Sequence, residues 1–240
     1  MLGLGSYISD SKGDIFDLSD ISSLTSWVQS GIGWSTDGSP LEVGDAVDKW
    51  YDSIQGANWD AASDSQRPTI VANGGLNFDG TNDAMDLGTQ LSFTTFHFFM
   101  VIDLEGATNE TAVGVNGSSN FLRFFKGGGS SLMRYKFGSS SPTDLTITAS
   151  SDIPTGKFLF ELSRTGDASN NLTTIFDGST VSTDTLDVDK DWIIRSIGAQ
   201  SGAGANAAEG IIYEMAIFNK FLDGDLLTNA RADIQARNGL

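Results

Sequence analysis

The stretch Phe93–Leu104, FTTFHFFMVIDL, decides the fold. In an extended chain, alternate side chains point to opposite faces. One face then carries Phe93, Thr95, His97, Phe99 and Val101, and the other Thr94, Phe96, Phe98, Met100 and Ile102. Beyond its start both faces are apolar, which predicts a central strand covered on both sides. Shorter strand-like runs surround it. RPTIVA, LNFDG and DAMDLG come before it; FLRFFK, LMRYKF, DLTIT, KFLFELSR, LTTIFDG, WIIRSIGA and GIIYEMAIF follow. Gly- and Ser-rich breaks (GGGSS, FGSSSP, AQSGAGANAA) separate them. Many short strands with almost no helix predict an all-β, two-sheet antiparallel sandwich.

The two ends read differently. Residues 1–13 are Gly/Ser-rich with isolated Leu2, Leu4, Tyr7 and Ile8, an arm suited to docking on a partner. The sandwich domain then spans 14–240, and its first part, to residue 72, is irregular in texture. There DLSDISSLTSWVQ places Leu24, Trp27 and Val28 at near-helical spacing, which predicts one helical turn. Trp34, Trp50 and Trp59 recur in polar sequence and read as plugs that pin long segments to a core. At the far end Leu222, Leu226, Leu227, Ala230 and Ile234 share a stripe, Asp223 suits an N-cap, and Asn238-Gly239 supplies a C-cap signal. A short C-terminal α-helix over about 223–237 follows.

Composition narrows the function. Of 240 residues, 31 are acidic and 14 basic, a net charge of −17. Nucleic acid is excluded as a partner, because Lys and Arg must neutralise its phosphates. The densest cations, Arg123, Lys126, Arg134 and Lys136, lie on successive strand-like runs and read as solvent-facing. With no Cys there are no disulfides or thiolate metal sites. No signal peptide or membrane-inserted span is expected.

The run Val47–Gly88, VDKWYDSIQGANWDAASDSQRPTIVANGGLNFDGTNDAMDLG, resembles the opening segment of laminin-G-like, concanavalin-A-like jelly rolls of phage and bacterial proteins. Trp50, Asp52, Arg67, Pro68, Phe78, Asp79, Gly80, Asn82 and Asp83 carry the resemblance. Near the end, GIIYEMAIFNKFLDGDLLTNARADI matches that family's last strand and helix. The resemblance spans about residues 20–240 and implies a jelly roll. Its functional implication is broad, since this sandwich hosts lectins, hydrolases and structural modules. The start MLGLG is similar to those of marine phage structural proteins.

In LNFDGTNDAMDLG, Gly80 and Asn82 suit a hairpin corner, and Asp79 and Asp83 can bond turn amides. The same Asp79, Asn82 and Asp83 are the candidate Ca²⁺ ligands, as in related lectins. Asp187, Asp189 and Asp191 open like an EF-hand, but Trp192 and Gly198 stand where Gly and Glu belong. His97, the only His, reads as a hydrogen-bonded core residue. Among six Glu, Glu209 and Glu214 lie five apart on one strand, which sends them to opposite faces; Glu161 has no carboxylate partner along its own strand. No enzyme activity is therefore expected. For glycans, Trp34, Tyr51 and Trp59 offer rings, and Asp37, Asp52 and Asp60 offer acceptors.

The expectation is a phage virion structural protein, made in the host cytoplasm: a capsid decoration or tail appendage docked on other virion proteins through Leu2, Leu4, Tyr7 and Ile8. It would touch host surface glycans, require no cofactor although Ca²⁺ fits, and suit a homo-oligomer. The alternative is a free-standing carbohydrate-binding lectin; a glycoside hydrolase is the distant third.

Overall fold

The computed structural model describes residues 16–36, 41–106, 110–115, 120–125, 132–137, 143–148, 153–166, 171–185, 191–200 and 206–240. The docking residues Leu2, Leu4, Tyr7 and Ile8 lie outside them, as do Asp37, Lys126, Asp187 and Asp189.

The strands, in chain order, are β1 (Leu24–Gln29), β2 (Trp34–Ser35), β3 (Lys49–Asp52), β4 (Ala57–Asp60), β5 (Thr69–Ile70), β6 (Leu76–Asp79), β7 (Met85–Phe93), β8 (Phe96–Leu104) and β9 (Glu110–Gly114). They continue as β10 (Phe121–Phe125), β11 (Leu132–Phe137), β12 (Thr143–Thr148), β13 (Phe158–Arg164), β14 (Leu172–Phe176), β15 (Ser179–Asp184), β16 (Trp192–Ile197) and β17 (Glu209–Phe218). A single helix, α1 (Gly224–Asn238), ends the described chain. The first sheet has the order β15-β14-β13-β8-β17-β6-β5, with β1 also paired to β17; the second runs β12-β11-β10-β9-β16-β7-β4-β3-β2. Two antiparallel sheets thus form a sandwich, with one short C-terminal helix.

The main core lies between the sheets. Phe96, Phe98, Met100 and Ile102 of β8 meet Trp50, Trp59, Phe124 and Trp192 of the second sheet there. Aromatic rings interlock edge to face, as Phe98 does with Trp192 at 5.4 Å between centroids. A second core lies on the outer side of the first sheet, where Phe99, Val101, Leu159 and Tyr213 meet Trp27, Leu222, Ala230 and Ile234. The β8 pattern therefore has a plain cause: a sandwich core on one side, and on the other α1 together with Leu18 and Ile21 from the segment before β1.

Several expectations change. Leu24–Gln29 is a strand, and the helical turn sits earlier, a 3₁₀ turn at Leu18–Asp20. Phe93 ends β7 in the second sheet and β8 starts at Phe96 in the first, so Thr94-Thr95 is a passage between sheets. The same holds at Gly80-Thr81-Asn82. Strands β6 and β7 belong to different sheets, so the turn is a sandwich corner rather than a hairpin, and only Gly80 takes positive φ, at 73°. On α1 the packed residues are Ala230 and Ile234 with Leu227 partly buried, whereas Leu226 is exposed. Asp223 is the N-cap without a side-chain cap bond, and Gly239 closes the helix at φ 67°. Arg123 is buried and lies 4.0 Å above the Phe121 ring, not in solvent.

Candidate functional site

The centre of the outer face of the first sheet is covered by α1 and the segment before β1. A β-bulge between Ile212 and Glu214 shifts the alternation of β17. Glu209, Ile211 and Tyr213 face outward before it, and Glu214, Ala216 and Phe218 face outward after it. Glu209 and Glu214 thus share a face, contrary to the simple count. Glu214 accepts from Trp27 Nε1 at 2.8 Å, Arg237 Nη2 at 2.8 Å and Asn238 Nδ2 at 2.6 Å. Glu161 on β13 accepts both Arg231 Nε and Nη2, and lies 3.3 Å from His97 Nε2. Burial alone would raise the Glu161 carboxyl; the bonds from His97 and Arg231 overcome it and hold it below its ordinary value. Burial pushes His97 the other way, toward the neutral form. Lys157 Nζ donates to the last-turn carbonyl of Asn238 at 2.6 Å. These groups fasten α1 to the sheet.

On the second sheet, β2, β3, β4, β7 and β16 present an open outer face. In β3, Trp50 and Asp52 point inward and Lys49 and Tyr51 outward; in β4, Trp59 points inward and Asn58 and Asp60 outward. Pairing sets Tyr51 opposite Asn58, Lys49 opposite Asp60, and Asp60 opposite Asp86 of β7. Asp86 accepts from Arg195 Nε at 2.8 Å. Tyr51 is 44% exposed. Its backbone N–H donates to Gly33 O at 2.8 Å, and a Cβ on Gly33 would lie 2.7 Å from the Tyr51 Cβ, so glycine lets the β1–β2 loop lie close beside this tyrosine. Partial burial and the neighbouring Asp48 and Asp86 raise the Asp60 carboxyl, against the pull of Lys49.

Of the expected glycan residues, the structure brings Tyr51 and Asp60 to this face. Asp52 and Trp59 are wholly buried, and Trp34 turns inward to meet Trp50 edge-on at 6.1 Å. Asp52 is a structural knot. Its Oδ1 accepts from the backbone N–H of Trp27, Ile54 and Gln55, and its Oδ2 from Ser26 Oγ and Trp59 Nε1. No acceptor capacity is left for a sugar.

The candidate Ca²⁺ ligands serve the corner. Asp79 Oδ1 accepts from Thr81 N at 2.8 Å and Asn82 N at 3.2 Å, while Asp83 Oδ2 accepts from Asp79 N at 2.9 Å. Ca²⁺ takes about 6–8 oxygens. Among the described residues no group of three or more Asp, Glu, His or Cys is placed to hold a metal ion. These residues do not fit a Ca²⁺ shell.

The sandwich has many structural counterparts. Trypanosoma rangeli sialidase in complex with sialic acid superposes with a TM-score of 0.56 at 12% identity, over 98% of this chain and 36% of that one. The same enzyme as a covalent intermediate with 2,3-difluorosialic acid gives 0.55 at 12% identity, over 98% and 36%. The CBM40 of Ruminococcus gnavus IT-sialidase, bound to α2,3-sialyllactose, covers 64% of this chain and 94% of its own at a TM-score of 0.48 and 13% identity. The chain thus spans about a third of the sialidase it matches, and the first two establish the fold alone. No family model and no curated protein matches the sequence. Among the described residues, no helix is long and apolar enough to cross a membrane.

Chemically, the open face offers a ring flanked by short-range donors and acceptors. Lys49 and Asn58 donate; Asn58, Asp60 and Asp86 accept. Sequence reading missed Lys49, Asn58, Asp86 and Arg195. Their signal was strand pairing, which brings together residues from 7 (Tyr51 and Asn58) to 109 (Asp86 and Arg195) positions apart only once the register is known.

Proposed function

We propose that this chain is a carbohydrate-binding β-sandwich module that holds a glycan on the outer face of its second sheet. The observation that carries the reading is Tyr51: an exposed ring amid polar side chains, on the sheet face that α1 does not cover. A pyranose presents one apolar face and a rim of hydroxyls. Tyr51 would stack against the face, while Lys49, Asn58 and Asp60 take the rim. The sialic-acid complex of the Trypanosoma rangeli sialidase is consistent with a sugar-binding use of the architecture. The reading is non-catalytic: the face binds and does not cleave.

The virion role is a finer reading of the same module. A capsid or tail component that touches host glycans needs this open face, and residues 1–13 would supply its anchor. That role rests on the sequence resemblance. Deleting 1–13 and measuring incorporation into particles tests it.

The glycan reading is tested by a heteronuclear NMR titration of the full chain against a panel of oligosaccharides. Saturable shifts are expected at Tyr51, Asn58 and Asp60. Shifts confined to other surfaces, or none, would remove it. Product sugars appearing during the titration would overturn the non-catalytic part alone.

A further inference from the structure

We infer that the open face selects neutral glycans and rejects carboxylated ones; this rests on the glycan reading above. Among the described residues, the charges on this face and its edge are Lys49 and Arg195 against Asp48, Asp60 and Asp86. Two of the carboxylates, Asp60 and Asp86, are register partners on adjacent strands, so their Cα atoms lie about 5 Å apart. Arg195 is paired with Asp86 through Nε at 2.8 Å, and Lys49 faces Asp60 across β3–β4.

Such an arrangement suits hydroxyls. A carboxylate accepts two O–H groups at once, and adjacent hydroxyls of a neutral hexose present such a pair. A sugar carboxylate fares worse. It would meet the Asp60 carboxylate and the Asp86–Arg195 pair, and beyond them a molecule with a net charge of −17 whose field opposes anion approach. The arginine of this face, Arg195, already directs its Nε to Asp86, so an anionic sugar would compete with that carboxylate for its charge. The face therefore matches neutral oligosaccharides with vicinal hydroxyls next to the ring-stacked residue.

The test is a paired titration of the intact chain with lactose, mannotriose, cellotriose and 3′-sialyllactose, at low and high salt, followed at Tyr51 and Asn58. The expected result is binding of at least one neutral sugar and at least about tenfold weaker binding of 3′-sialyllactose than of the best neutral one, with the gap narrowing as salt rises. Asp60→Asn should weaken the neutral sugar and shrink the gap, with a dispersed spectrum confirming that the variant is folded. Tighter binding of 3′-sialyllactose overturns the inference and leaves the glycan reading standing. Absence of binding by every sugar at Tyr51 and Asn58 overturns both.

Discussion

Arg231 holds Glu161 with two donors, Nε at 2.6 Å from one carboxylate oxygen and Nη2 at 2.9 Å from the other. Glu161 is fully buried, and its other neighbour, His97, stacks on Phe99 at 4.5 Å between ring centroids. The C-terminal helix thus docks as much through this fork, and the matching Arg237–Glu214 pair, as through its few apolar contacts. Arg231→Ala strands a buried charge and should cost about 3–5 kcal/mol in denaturant unfolding. Adding Glu161→Gln should restore part of that loss. Because the Glu161 carboxyl titrates below its unfolded value of 4.5, the contribution is present above that pH and is lost as pH falls through the native value. An Arg231→Ala chain as stable as the parent would mean that α1 is held by something else.

Asp83 gives a pH dependence of opposite sign. Burial raises its carboxyl from 3.8 to about 6, opposed by the bond from the Asp79 N–H and aided by the Asp79 charge. The native state therefore binds this proton more readily than the unfolded chain does. Its contribution is greatest below pH 3.8 and disappears as pH rises through about 6. Asp83→Asn keeps an oxygen for the Asp79 N–H and drops the charge. Melting curves of parent and variant should coincide near pH 4 and separate above pH 6, with the variant higher. Identical curves at pH 7 would show that the corner carries no buried charge penalty.

Gly198, just after β16, tests the packing of the sandwich end. Its φ is 79°, and an added Cβ would lie 2.1 Å from the Phe78 ring. Phe78 is wholly buried and cannot swing out. Gly198→Ala should destabilise by about 2–4 kcal/mol, through overpacking and the left-handed backbone together. A variant that melts with the parent would show that Phe78 has room to move.

The fold was legible where periodicity carried it. The run Phe96–Leu104 is apolar on both faces, and the structure covers both. Strands β9, ETAVG, and β15, STVSTD, went unread because neither shows an alternating apolar pattern; β9 is buried throughout, and β15 is an edge strand exposed to solvent. The corner at Gly80 was read from its residues, but a tight turn looks the same whether its strands pair with each other or part to different sheets. The bulge in β17 was invisible as well, and with it the shared face of Glu209 and Glu214. At the candidate site the difficulty was the period of two. Tyr51 and Asp52 adjoin in sequence and read as one loop surface, yet a strand sends one out and the other in.

That separation makes the sharpest test. Tyr51 is exposed, and only glycan binding should feel its loss. Tyr51→Ala should leave unfolding within about 0.5 kcal/mol of the parent and weaken the bound sugar about tenfold or more, a difference of about 1.4 kcal/mol. Asp52→Ala should do the reverse. It leaves the Trp27, Ile54 and Gln55 amides, the Ser26 hydroxyl and the Trp59 indole without their acceptor, a loss of about 3–5 kcal/mol. Calorimetric melting and NMR titration of both variants separate the roles. If Tyr51→Ala binds the sugar as the parent does, the ring is not the platform; if Asp52→Ala melts with the parent, the knot does not hold β1 to β3.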